Sequence, residues 1–207
     1  LTPTTLLLSS VLESVKIPVV AAGGFRDGSG LAASLAWGAD GIAMGTRFMM
    51  TQESPVPKNT KEAYLSAAVE DIKITKKFDG LSHRLIFNNY IKKIDRSNPM
   101  SLFIMSISSA WKYKKLTKAS YADLTKSFFA MLKGDDLTIS QSIMSANSPA
   151  IIQKAMVEGS PDEGAMPSGQ VAGLISNLPT CKELIDEIMR EFTSAVANLR
   201  SIDGDKL

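Results

Sequence analysis

IPVVAAGGFRDGSGLAASLAWGADGIAMGTRFM, from Ile17 to Met49, is the stretch whose reading decides the fold. Val19 to Ala22 is a continuous apolar run after Pro18, the pattern of a parallel strand buried on both faces, and Gly23 and Gly24 end it. Asp27 or Ser29 caps the helix that follows, Leu31, Ala32 and Leu35 form its inner stripe, and Gly38 stops it. Gly41 to Met44 is a second short strand. Strand, helix and parallel strand at this spacing form a βαβ unit, so helices must cover a largely parallel sheet.

Both strands end in glycine, at the carboxyl edge where a parallel sheet collects its ligands. Glycines also follow strands simply because turns require them. Two such ends one unit apart point further, to a paired backbone grip on one anion. Gly23 and Gly24 let N–H groups approach it, the helix starting near Gly28 aims its positive end the same way, and Gly45 and Thr46 repeat the arrangement with a hydroxyl. The order GGFRDG departs from the dinucleotide fingerprint G-x-G-x-x-G, and no acidic residue closes the following strand, so the expected ligand is a phosphate carrier of another kind.

Outward from this unit, Leu7, Leu8, Val11, Leu12 and Val15 recur at three and four, predicting a helix over Thr5 to Val15. TQESPVPKN reads as a loop, followed by a helix from Lys61 to Asp71 and a brief strand at Ile72, Ile74 and Phe78. Ser120 and Asp123 resemble a capping box ahead of Leu124, Phe128 and Leu132, a helix ending at Gly134. The last helix is the clearest. Thr180 and Glu183 form a T-x-x-E capping box, and Leu184, Ile188, Met189, Phe192, Val196 and Leu199 line one stripe before a frayed SIDGDKL terminus.

Composition narrows the function classes. The chain has 207 residues, 44% hydrophobic, with 23 basic and 21 acidic side chains, and no block of like charge marks a nucleic-acid or membrane-surface partner. Its most apolar later stretch, MSLFIMSISSAW from Met100 to Trp111, is broken by serines and falls short of the ~20 residues of a membrane span. Cys181 alone forms no internal disulfide, which fits a reducing, cytoplasmic setting. It lies in the first turn of the last helix without a partner base. Asp135 and Asp136 lack a second ligand cluster and read as a solvated loop, leaving no metal site.

The stretch from Ile17 to Met49 resembles the seventh and eighth strands of the (β/α)8 barrel of the nitronate monooxygenases, FMN enzymes formerly called 2-nitropropane dioxygenases. EGAMPSGQVAGLISNLPTCKELIDEI, Glu163 to Ile188, resembles that family's closing segment and final barrel helix. FDGLSHRLIFNN, Phe78 to Asn89, is a weaker match in which Gly80, Arg84 and Asn88 correspond. FMN-dependent enoyl-[acyl-carrier-protein] reductases share the first two signatures.

The resemblance implies an α/β fold, the C-terminal part of an FMN-binding barrel with a mostly helical cap insertion. Residues 1–51 would carry strands seven and eight, 52–162 the cap, and 163–207 the return to the barrel. It implies that Ala22, Gly23 and Gly24, with Met44, Gly45 and Thr46, hold the FMN phosphate. Gln170 would lie near the flavin or cap its own loop, and Arg47 would clamp the phosphate or enter a structural ion pair, and is left out of the site.

The implied activity is oxidation of an alkyl nitronate by FMN and molecular oxygen to a carbonyl compound and nitrite. The alternatives are enoyl-thioester reduction with NAD(P)H and a non-catalytic phosphate-binding remnant. Family members that accept neutral nitroalkanes carry their base in a Gly-Gly-His stretch before the seventh strand. This chain has none, and its one histidine, His83, is expected to be structural, so the catalytic residues are unknown. A whole barrel needs ~250 residues. The expectation is therefore the C-terminal portion of a longer protein, inactive alone.

Overall fold

The computed structural model describes residues 2–98, 100–101 and 139–202. In chain order its elements are α1 (Thr4–Ser14), β1 (Val20–Ala22), α2 (Gly28–Ala36), β2 (Gly41–Ala43), α3 (Thr46–Met49), α4 (Lys58–Leu65), β3 (Ile72–Thr75), β4 (His83–Ile86), α5 (Asn89–Arg96), α6 (Ile139–Met156) and α7 (Cys181–Arg200). Three-residue 310 turns at Val69–Asp71 and Pro161–Glu163 and a longer one at Gln170–Leu174 link them. The chain divides into two compact units, Leu1–Ser54 with Gly169–Leu207, and Pro55–Ser168.

In the first unit β1 and β2 pair in parallel, Val20 opposite Gly41, Ala21 opposite Ile42 and Ala22 opposite Ala43, so both strands finish side by side. Asp40 fixes the register: its amide donates to Val19 O at 2.8 Å and its carboxylate accepts from Val19 N at 2.7 Å. Ala21 packs among Leu8, Phe25 and Ala39. The expected burial of β1 on both faces does not occur here, because the unit covers the Ala21 side and leaves Val20 57% exposed. Likewise only Leu8 of the α1 stripe is buried, and Leu7 stands open.

Helix α2 has Asp27 as its N-cap, accepting from Gly30 N at 2.9 Å, and stops at Gly38 (φ +104°). It packs on α7 at backbone contact. A Cβ on Gly28 would lie 2.1 Å from Ile188 O and 2.3 Å from Phe192 N, so no other residue fits without separating the helices. Helix α7 carries the expected capping box, Thr180 with Glu183. Of its apolar stripe, Leu184 and Ile188 are buried whereas Met189 and Leu199 are about half exposed.

The second unit is not simply helical. β3 and β4 form an antiparallel pair, Ile72 opposite Ile86 to Thr75 opposite His83, joined through a turn at Gly80 (φ +87°). The helix expected from Lys61 to Asp71 ends at Leu65, where Ser66 Oγ returns to Glu62 O, and a 310 turn held by Asp71 on Ala68 N leads into β3. Phe78, Leu85, Ile91, Ile94, Met144, Ile151 and Ala165 form the core. Tyr64 is fully buried and donates to Pro167 O, and burial pushes its phenol above the ordinary value. The helix expected from Ser120 to Gly134 and the pair Asp135 and Asp136 lie outside the described residues.

Candidate phosphate-binding site

The register of β1 and β2 brings their two glycine ends next to each other. Gly23 (φ +94°) and Gly24 (φ +92°) adopt the left-handed conformation that other residues resist. The turn is fastened by Thr4, whose Oγ1 donates to Gly23 O at 3.0 Å. Beside it, Gly45 is the N-cap of the four-residue helix α3, with no side-chain cap. Among the described residues, no acceptor takes the amides of Gly23, Gly24, Gly45 or Thr46. A Cβ built on Gly24 or Gly45 meets no atom within 4 Å, and Ala22, Gly23, Gly24 and Gly45 are all exposed. Met44, half-buried, packs against the Leu8 cluster and anchors the end of β2. These loops therefore present unpaired donors toward open space, the arrangement that receives an anion.

The closing segment joins them. Gly169 N donates to Thr46 Oγ1 at 2.8 Å, and a Cβ on Gly169 would stand 2.9 Å from that oxygen, so the turn comes directly against α3. With an acceptor lone pair engaged, the Thr46 hydroxyl keeps its hydrogen to donate. Gln170 follows as the first, exposed residue of the Gln170–Leu174 turn.

One expectation fails. The amino end of α2 does not face an anion with free amides, because Gly28 N donates to Glu191 Oε2 at 2.8 Å and Gly30 N to Asp27 Oδ1. The carboxylates already there would repel a phosphate. The short helix α3 instead starts with amides that no described acceptor takes. It escapes a sequence reading because four residues show no periodicity. Thr4 and Gly169 escape it too, since their contacts span 19 and 123 residues.

Arg47 is held by Asn177 of the closing segment. It is buried, with Nη2 donating to Asn177 Oδ1 at 2.9 Å and Nη1 to Asn177 O at 3.4 Å, an amide partner in place of the expected ion pair. Burial lowers its pKa from the ordinary arginine value, and Glu187 acts in the opposite sense. It lines a polar cavity of about 150 Å3 with Arg26, Asn177, Glu187 and Glu191. Cys181 opens α7, where its amide donates to both oxygens of Glu53 at 2.9 Å and its thiol contacts Thr51 Oγ1 at 3.5 Å.

In the second unit His83 Nε2 lies 2.8 Å from Oδ2 of buried Asp79, with Phe78 edge-on to its ring. Asn88 caps α5 and its amide donates to the carbonyls of Pro161 and Gly164, while Arg84 is exposed on β4. Among the described residues no cluster of three potential metal ligands occurs.

A family model described as nitronate monooxygenase matches residues 2–191. The chain is 47% identical over 188 residues to a (3aS,4S,5R,7aS)-5-hydroxy-7a-methyl-1-oxo-octahydro-1H-indene-4-carboxyl-CoA dehydrogenase of Rhodococcus jostii (strain RHA1), covering 91% of this chain and 53% of that protein. It is 38% identical to a probable nitronate monooxygenase of Staphylococcus aureus (strain Newman), over 44% of this chain and 25% of the relative. Among solved structures, FabK from Thermotoga maritima superposes with a TM-score of 0.67 at 30% identity, covering 97% of this chain and 52% of its own. The chain thus spans about half the length of the Rhodococcus relative. With a mixed α/β fold, two open strand ends and a family match running from residue 2 to residue 191, the chain belongs to the nitronate monooxygenase family.

Proposed function

We propose that this chain supplies the phosphate-holding part of an FMN-dependent oxidoreductase built on a (β/α)8 barrel, with β1 and β2 as strands seven and eight and the Pro55–Ser168 unit as a cap. The observation that carries the reading is the pair of adjacent strand ends whose amides, among the described residues, meet no acceptor and no carboxylate. FMN fits this site: its phosphate would be held by the amides of Gly23, Gly24, Gly45 and Thr46 and by the Thr46 hydroxyl. Ala22 and Met44 end the strands that aim these groups, and Gln170 stands on the adjoining turn. Bound there, the flavin would supply two-electron redox chemistry. The protein's part is to fix the phosphate without side-chain charge, so that the cofactor's position follows from backbone geometry.

For the substrate, the 47% identity over nine-tenths of the chain favours dehydrogenation of a carboxyl-CoA thioester by the whole protein. Oxidation of an alkyl nitronate with oxygen is the second reading, favoured by the family model. A reducing cytoplasmic setting suits the single Cys181. Among the described residues no helix is long and apolar enough to cross a membrane.

The test is the absorbance spectrum of the full-length purified protein, then its flavin reduction under anaerobic mixing with a carboxyl-CoA thioester or a nitronate. Flavin absorbance bands that bleach with the thioester are expected. A protein that neither purifies with FMN nor takes it up would end this reading.

A further inference from the structure

Helix α5 reads NYIKKIDR, and its two faces differ sharply. Ile91 and Ile94 are fully buried in the core of the second unit. Asn89, Lys92, Lys93 and Arg96 recur at three, four and seven, which places them on one stripe, and Lys92, Lys93 and Arg96 are exposed. With Asn98 and Ser101 they line an open groove of about 510 Å3 whose described lining contains no carboxylate. The acid of this helix, Asp95, is engaged elsewhere: Lys77 Nζ lies 3.3 Å from its Oδ1. Among the described residues, none of the three groove cations has an ion-pair partner.

Like charges at Lys92 with Arg96 and at Lys93 with Arg96 work against the helix, and its negative C-terminal end offsets that only in part. Ser97 Oγ donates to Lys93 O at 2.7 Å, covering a carbonyl that would repel an anion, and Asn98 Oδ1 accepts from Ser101 N at 2.8 Å. Three exposed cations at neighbouring helical positions, flanked by amide and hydroxyl groups, match a ligand carrying several phosphates close together.

We propose that this groove binds the phosphates of the nucleotide end of a coenzyme A thioester. This rests on the carboxyl-CoA reading above. The ligand carries a diphosphate and a separate 3′-phosphate, enough negative charge to engage all three cations, and an open groove suits a nucleotide end that stays at the surface. The match to the Rhodococcus carboxyl-CoA dehydrogenase covers 91% of the chain and so takes in most of the unit that bears the groove.

The experiment is calorimetric titration of the full-length, FMN-loaded protein with free coenzyme A, dephospho-coenzyme A lacking the 3′-phosphate, and NADPH. Coenzyme A should bind, and more weakly as salt rises from roughly 50 to 300 mM. Dephospho-coenzyme A should bind less tightly. The double variant Lys92→Ala with Arg96→Ala should weaken coenzyme A binding by about tenfold or more, the size of one lost charge-assisted contact. Lys58→Ala, on the same unit outside the groove, should change it less than about twofold. The single variant Arg96→Gln gives a milder reading should the double variant fold poorly, which a melting curve reveals. Unaltered coenzyme A affinity in Arg96→Gln and the double variant, no binding by the parent protein, or binding of NADPH in preference would each overturn the proposal. Flavin content is read separately by absorbance. Loss of FMN with coenzyme A binding intact would sink the oxidoreductase reading and leave the groove standing.

Discussion

The amino ends of α2 and α7 and the carboxyl ends of β1 and β2 all present backbone N–H groups, yet the protein treats them oppositely. At α2 the donors are taken by Glu191 and Asp27, and at α7 by Glu53, Thr180 and Glu183. At the strand ends nothing in the described chain takes them. A helix start is thus a poor guide to an anion site when a carboxylate from a neighbouring helix already fills it. The informative feature is a set of donors that the chain leaves without an acid. Glycine follows the same division, filling a contact at Gly28 and opening a space at Gly24 and Gly45.

Substituting the two kinds of glycine breaks the comparison most directly. Gly28→Ala forces a methyl group into the Ile188 carbonyl and the Phe192 amide, and α2 must move away from α7. The expected cost is about 3 kcal/mol or more, read as a lower urea midpoint, and it is the largest effect anticipated. Gly45→Asp has room for its side chain and should leave the melting curve almost unchanged. Its carboxylate would sit against the phosphate, and FMN affinity should fall roughly hundredfold in a fluorescence titration. Equal FMN affinity in Gly45→Asp and the parent would remove the strand ends from the site.

Glu191→Ala comes next. It strips the acceptor from Gly28 N, leaving the amide to water or unpaired, at a cost of about 1 to 2 kcal/mol in denaturant unfolding. FMN affinity should stay within about twofold of the parent, because that amide belongs to the helix pair and not to the strand ends. A large drop in FMN binding would mean that the two regions are one site.

What the amino-acid sequence reveals of this division depends on range. Asp27 as the cap of α2 and the Thr180–Glu183 box of α7 are legible because donor and acceptor lie three residues apart. The parallel pairing of β1 and β2 is legible because nine helical residues between two apolar runs allow little else. The Glu191 cap on Gly28 is not, since it joins positions 163 apart and exists only once two helices have packed. The same holds for Gly169 on Thr46. Gly28 itself misleads, for a glycine at a helix start just after a Gly-Gly turn invites a ligand reading when its actual neighbour is the backbone of α7.

The smallest expected effect concerns the acid that closes α7. Glu183 is fully exposed, and its carboxyl is held below the ordinary value of 4.5 first by the Thr180 amide and then by the Thr180 hydroxyl. A carboxyl whose folded pKa is depressed contributes stability that is fully present above its unfolded pKa. That contribution is lost as pH falls through the lowered folded value. The unfolding free energy should therefore decline below about pH 4.5, and Glu183→Gln should flatten that limb while leaving stability near pH 7 slightly reduced. Because the amide of Thr180 is filled by this carboxylate and the strand-end amides by none among the described residues, the same substitution should leave FMN affinity unchanged at every pH where the fold persists. A pH-dependent loss of FMN specific to Glu183→Gln would show that α7 reaches the phosphate after all.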